Sequence, residues 1–181
     1  MTRSDIEATA LKLLLSQPLH GEYALHFFDY RHLLLHGKAQ IDTFASYEKR
    51  SGIPLPRGVE GLTLKTAAIT LILYNDTIPS QSRIAFTIAH ELGHLFLAHE
   101  EGSPRTEREA DAFAASLLMP EAVIRFLDCQ KGRPLTPREM TTYFSASLSA
   151  CQRRRRNLPP DCRYTPSADA CELTRRLFGG D

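Results

Sequence analysis

An α+β fold is expected from this 181-residue sequence for three reasons. The pattern Ser/Thr-x-x-Glu, which marks helix starts, recurs at Ser4 to Glu7, Thr106 to Glu109 and Thr136 to Glu139. One segment, Thr66 to Tyr74, is β-branched and almost wholly apolar, as a buried strand requires. After it comes a helix-type segment carrying two histidines four residues apart, His90 and His94. The chain is 43% hydrophobic and 24% charged, which supports one real core and excludes a disordered protein.

The elements follow in order. Ser4 is expected to cap a first helix with Glu7 at its third position, burying Ile6, Ala10, Leu11, Leu14 and Leu15 and stopping near Pro18. A second helical pattern runs from about Glu22 to His36 through Leu25, Phe28, Leu33 and Leu35, with Gly37 after its end. A third spans about Asp42 to Arg50 and ends at Ser51-Gly52, before Pro54. Residues 53–61 read as a loop or edge segment, followed by the strand and a turn at Asn75-Asp76. Ser80 or Ser82 can cap the next helix, which continues to about His99 before Gly102-Ser103-Pro104 breaks it. Thr106 opens a helix to Met119, and a short one follows over roughly 121–128. Thr136-Pro137 and Ser147 open two more, the second reaching about Asn157, and a helix over 168–178 closes the chain.

The chemistry lies in His90-Glu91-Leu92-Gly93-His94. Residues four apart on a helix sit one turn above each other, so both imidazoles point to one side, as two ligands of one Zn²⁺ must. Glu91 is rotated by about 100° from His90, where it can serve a water on the metal without being a ligand. Gly93 costs about 1 kcal/mol in a helix interior, a cost that close approach of another backbone explains. A catalytic zinc takes a third protein ligand, and His99, Glu107, Glu109 and Asp111 follow in sequence. His99 is rotated by about 140° from His94 if the helix continues, so it points away. Glu109 falls where a capping box uses its carboxylate on Thr106. Glu107 and Asp111 share a face. Glu107 is therefore the preferred ligand, with Glu109 and Asp111 as alternatives, and Asp111 suits the role of orienting a ligand imidazole. A His₂Glu set favours zinc and also admits manganese or iron. His32 and His36 repeat the spacing, but no acid follows His32 and no ligand cluster lies nearby, so no metal is expected there.

The net charge of +1 excludes a whole-surface electrostatic binder of nucleic acid. It conceals a basic tail: residues 151–181 carry +3 and the rest −2. Arg153 to Arg156 turn by about 100° each and cannot share one helix face. They read as a solvated helix end complementing the helix dipole, with a patch for an acidic partner or DNA as the other readings. Cys129, Cys151, Cys162 and Cys171 include no CxxC pair, which fits reduced thiols in the cytosol better than a zinc knuckle. No apolar run is long enough to span a bilayer, and acids stand where a signal peptide would be apolar, so a cytoplasmic protein is expected.

Two blocks resemble the ImmA/IrrE family of metallopeptidases. They are Arg83-Ile-Ala-Phe-Thr-Ile-Ala-His-Glu-Leu-Gly-His94 and, after a short gap, Glu107-Arg-Glu-Ala-Asp-Ala-Phe-Ala-Ala-Ser-Leu-Leu-Met-Pro120. Similarity is strong over about residues 67–125 and weaker over 136–157. The resemblance implies a zincin-like fold: a small sheet packed against a metal-bearing helix, with a C-terminal helical extension. The peptidase domain would then be residues 1–130, and 131–181 a helical extension with the basic tail. It also implies His90, His94 and Glu107 as zinc ligands and Glu91 as general base. The expected activity is proteolysis of a helix-turn-helix transcriptional repressor or antitoxin-like regulator encoded nearby. The alternative is a non-catalytic, metal-stabilised module that binds such a partner. An oxyanion-stabilising donor is not evident; Tyr74, Tyr143 and Arg83 are the residues to examine.

Overall fold

A computed structural model describes residues 1–37, 39–100, 102–159 and 164–179. Its helices are α1 (Arg3–Leu15), α2 (Ala24–Phe27), α3 (Phe44–Ser51), α4 (Gln81–Phe96), α5 (Pro104–Leu118), α6 (Glu121–Lys131), α7 (Pro137–Tyr143), α8 (Leu148–Asn157) and α9 (Ala168–Phe178). Three strands, β1 (Ala39–Thr43), β2 (Gly61–Lys65) and β3 (Thr70–Tyr74), form one mixed sheet in the order β1-β3-β2. The fold is α+β, as expected. No helix among the described residues is long and apolar enough to cross a membrane.

The contacts divide the chain into two compact units, residues 29–114 and residues 1–28 with 115–181. The first holds the sheet. β3 runs parallel to β1 and antiparallel to β2, with Thr63 opposite Ile72. Alternation along the strands separates two faces. Leu62, Leu64, Leu71 and Leu73 pack with Phe44, Tyr47 and Leu55 on the α3 side. Ile72, fully buried, belongs to the other face, where α4 packs on β2 and β3. The strand begins later than expected, because residues 66–69 form the β2–β3 turn, closed by the Thr66 N–H donating to the Ile69 carbonyl at 3.0 Å. β1 and β2 are strands not expected from residue patterns, β1 overlapping the expected helix start at Asp42 and β2 the end of the expected loop at Gly61. Thr43 caps α3, so the helix expected from Asp42 starts at Phe44.

The helix expected over 22–36 is absent. α2 spans four residues, a 3₁₀ turn covers Tyr30–His32, and His36 and Gly37 are left-handed (φ 48° and 77°). Leu33 and Leu35 are both buried, a two-residue spacing that suits extended chain. Asp29 accepts the Arg31 N–H at 3.0 Å and binds the His32 ring, the local competition that breaks helices. His32 and His36 therefore share no helix face.

In the other unit α1 packs on α9, α9 on α6, and α7 on α8. Phe126 and Phe178 stack at 4.5 Å between α6 and α9. Thr136-Glu139 forms the expected capping box with Pro137 in the first turn, and Ser147 caps α8. The box expected at Ser4 lies two residues earlier, on Thr2 and Asp5. Glu7 is instead drawn into a buried cluster. It accepts the Ser116 hydroxyl at 2.6 Å and the Glu121 N–H at 2.8 Å, and pairs with Arg154 at 3.0 Å. Arg154 is 6% exposed, and Arg155 pairs with Asp128 at 2.7 Å. Half of the arginine run is thus internal structure rather than a solvated helix end; Arg153 and Arg156 are exposed. Cys151 is buried and Cys129 and Cys171 exposed, all as free thiols, while Cys162 lies outside the described residues.

Candidate active site

The site lies within residues 29–114, where α4, α5 and β2 meet. Ser80 caps α4 by accepting the Arg83 N–H, and the helix then carries Ile84, Ile88 and Leu92 into the core. This leaves His90 and His94 on its half-exposed flank. α5 starts earlier than expected. Pro104 opens it instead of interrupting the chain, and Ser103 accepts the Thr106 N–H at 3.1 Å. Glu107 therefore sits in the first turn of α5 and faces α4.

Three atoms converge. His90 Nε2 and His94 Nε2 are 3.1 Å apart, Glu107 Oε2 is 3.3 Å from the first and Glu107 Oε1 is 3.5 Å from the second. For metal bonds of about 2.0–2.1 Å, the edges of a tetrahedron measure about 3.3 Å. Each separation is of that size, although the two carboxylate distances are to different oxygens, Oε2 and Oε1, so either oxygen can join the two nitrogens around one ion. The hydrogen-bond chemistry agrees. His90 Nδ1 is 3.0 Å from Asp111 Oδ1, and His94 Nδ1 is 3.1 Å from His99 Nδ1. With the ring hydrogens on Nδ1, both Nε2 atoms turn lone pairs toward the Glu107 oxygens, so three acceptors meet without a donor. A cation resolves that arrangement. His90, His94 and Glu107 can hold a metal ion.

The local electrostatics separate the two imidazoles. Burial disfavours the charged form of His90, but the Asp111 hydrogen bond and the charges of Asp111, Glu91 and Glu107 outweigh it and raise the pKa. Burial and the neighbouring His90 lower that of His94. Burial raises the pKa of Glu91, opposed by a hydrogen bond that Thr63 Oγ1 donates to its Oε2 at 2.7 Å. A more basic carboxylate is the better proton acceptor.

Two glycines let the elements close on one another. A Cβ on Gly93 would stand 2.9 Å from Ala110 Cα and 3.1 Å from the Ala110 carbonyl, so α4 and α5 touch through backbone, as the cost of this glycine suggested. A Cβ on Gly61 would meet Thr87 Cγ2 at 2.4 Å, which is why β2 can bring Thr63 up to Glu91. Gly93→Ala is expected to destabilise the protein by about 1–3 kcal/mol, because backbone cannot rotate out of the way. A urea unfolding curve within 0.5 kcal/mol of wild type (about the effect of a surface change) would contradict it.

His90, Glu91, His94, Glu107 and Asp111 are all brought together. His99 departs from expectation. α4 ends at Phe96, and Ala98 takes the left-handed conformation (φ 54°), a strain of about 1–2 kcal/mol for a non-glycine residue. The chain reverses there, the helical angle count no longer applies, and His99 folds back onto His94. Glu109, expected on Thr106, instead lies 3.2 Å from His99 Nε2 and 3.0 Å from Arg105 Nε. Thr63 was missed too. The alternation of Leu62 and Leu64 with Gly61, Thr63 and Lys65 is the signal that could have found its strand. Arg83 pairs with Glu60, Tyr74 is buried beside Arg31, and Tyr143 stacks on Tyr23.

The family model described as the IrrE N-terminal-like domain of peptidase family M78 matches residues 55–155. A search of curated proteins finds no match. The matched segment covers more than half of the chain, from the loop before β2 to α8, and includes every residue of the converging group. It is the family that the two sequence blocks resemble. The chain therefore belongs to the M78 peptidases of the IrrE N-terminal-like type, a metallopeptidase family.

Proposed function

We propose that this protein is a zinc-dependent endopeptidase that cleaves a helix-turn-helix transcriptional repressor encoded near its own gene. The observation that carries the reading is the convergence of His90 Nε2, His94 Nε2 and the Glu107 carboxylate beside the half-buried carboxylate of Glu91. In it, His90, His94 and Glu107 hold the metal, Asp111 orients His90, and Glu91 is the general base. The His₂Glu set suits zinc best. When bound, the metal supplies Lewis acidity toward a water and the scissile carbonyl.

The rest is done by the chain. The Thr63 hydroxyl holds Glu91 through Oε2, which leaves Oε1 to accept the proton of the attacking water. The same carboxyl group then protonates the departing amine. β2 is an edge of the sheet, so its outer backbone groups can pair with an extended stretch of substrate alongside the site. A repressor substrate implies action in the cytoplasm.

The test incubates the zinc-loaded protein with the purified repressor and reads fragments by intact-mass spectrometry. Cleavage at a defined bond is expected, lost on zinc removal and restored by zinc. A repressor that stays intact and co-elutes with the zinc-loaded protein would replace cleavage with binding.

A further inference from the structure

His99 is held at four points. Its N–H donates to the His94 carbonyl at 3.0 Å, and its own carbonyl accepts from Lys65 Nζ at 3.3 Å. Its Nδ1 lies 3.1 Å from His94 Nδ1, and its Nε2 lies 3.2 Å from Glu109 Oε2. The side chain is only 5% exposed. The left-handed Ala98 immediately before it is what turns the ring back over α4. With the Ala98 N–H donating to the Leu95 carbonyl at 3.2 Å, the bend is a Schellman cap that ends α4 and lays the His99 ring on His94.

One placement of hydrogens satisfies the whole chain of contacts. If His94 Nε2 keeps its lone pair for the converging group, the ring hydrogen is on Nδ1 and is donated to His99 Nδ1. That leaves the His99 hydrogen on Nε2, where it is donated to Glu109. Each contact then has one donor and one acceptor. Asp111 does the same for His90 directly. The two rings of the pair thus end on two carboxylates of α5, one directly and one through an inserted imidazole.

We propose that His99 is a positioning residue of the metal site: backed by Glu109, it fixes the ring orientation and tautomer of His94. The proposal rests on the reading of His94 as a ligand. His99 touches none of the three converging atoms and acts through His94 alone. It also lines, with His94, Thr63 and Lys65, a cavity of about 290 Å³. Shortening it would therefore admit water as well as remove the bond, so the test keeps its bulk.

The test compares wild type, His99→Phe and His99→Gln. Phe keeps volume without hydrogen bonds, whereas the Gln amide can accept from His94 and donate to Glu109. Zinc affinity, measured by competition with a chromophoric chelator, is expected to fall about 10–100-fold in the Phe variant and to recover in the Gln variant. The ligand-field spectrum of the cobalt-loaded protein is expected to shift in the Phe variant and return in the Gln variant. Nitrogen NMR of the metal-free proteins should report His94 as the Nδ1–H tautomer in wild type and Gln, and a mixture in Phe. A Phe variant with wild-type affinity, spectrum and tautomer would overturn the proposal. If wild type itself binds no zinc, the ligand reading fails, and the tautomer measurement still decides the role of His99. Should the Phe variant not fold, Glu109→Ala removes the far end of the relay. Zinc binding about tenfold weaker is then expected, and unchanged binding overturns the proposal.

Discussion

Glu91→Gln is expected to lower the rate of repressor cleavage by about 10²–10⁴-fold while leaving the fold and zinc binding intact. The amide matches the carboxylate in shape, and its oxygen can still accept the Thr63 hydroxyl that lies 2.7 Å from Glu91. What it cannot do is take a proton from water. Burial makes the Glu91 carboxylate more basic than an exposed one, so the substitution removes a base suited to its task. Glu91 is outside the group of three converging ligand atoms, which is why metal content should not change. Initial rates of fragment formation with zinc-loaded wild type and variant, at matched zinc content, check this. A variant within tenfold of wild type would remove Glu91 from the mechanism.

Arg154→Met is expected to destabilise the protein by about 3–5 kcal/mol. The guanidinium is 6% exposed, donates to the Met119 carbonyl at 2.9 Å, and pairs with Glu7 at 3.0 Å. Its removal leaves a largely buried carboxylate with no cation. Such a loss is a large part of the 5–15 kcal/mol by which domains of ordinary size are stable. Changing both residues, Glu7→Leu with Arg154→Met, should cost less than the single change because no charge is stranded. It should not reach zero, since the Ser116 hydroxyl and the Glu121 N–H also depend on Glu7. Urea unfolding of wild type and the two variants measures both effects. A single variant within 1 kcal/mol of wild type would show that the buried pair contributes little (the range of an exposed ion pair).

Local geometry made the heart of the site legible. His90 and His94 need only a helix to share a side, and Glu107 and Asp111 need only the next helix to begin before them. The structure meets both conditions. What sequence could not show is where each helix starts and which partner a carboxylate then takes. Ser4–Glu7 and Thr106–Glu109 both match the capping-box pattern, yet Glu7 binds Arg154 and Glu109 lies against His99. In each case the helix starts earlier than the pattern suggests, α1 at Arg3 and α5 at Pro104, so the carboxylate is past the capping position and takes other partners, for Glu109 the near neighbour Arg105 as well. Thr136–Glu139, whose carboxylate also binds its near neighbour Arg133, forms the box as expected. The sheet was half visible for a related reason. β3 is central and reads as an apolar run, whereas the edges β1 and β2 have weaker patterns. The position of His99 carried no signal, because an alanine, rather than the usual glycine, takes the left-handed turn.

Everything in this functional reading depends on one metal ion held by His90, His94 and Glu107. Native mass spectrometry of the protein after addition of one equivalent of zinc addresses that dependence. One zinc per chain is expected in wild type and in Glu91→Gln, and none in His94→Ala. A wild-type chain that takes up no zinc, or a His94→Ala chain that holds it as tightly as wild type, would contradict the assignment.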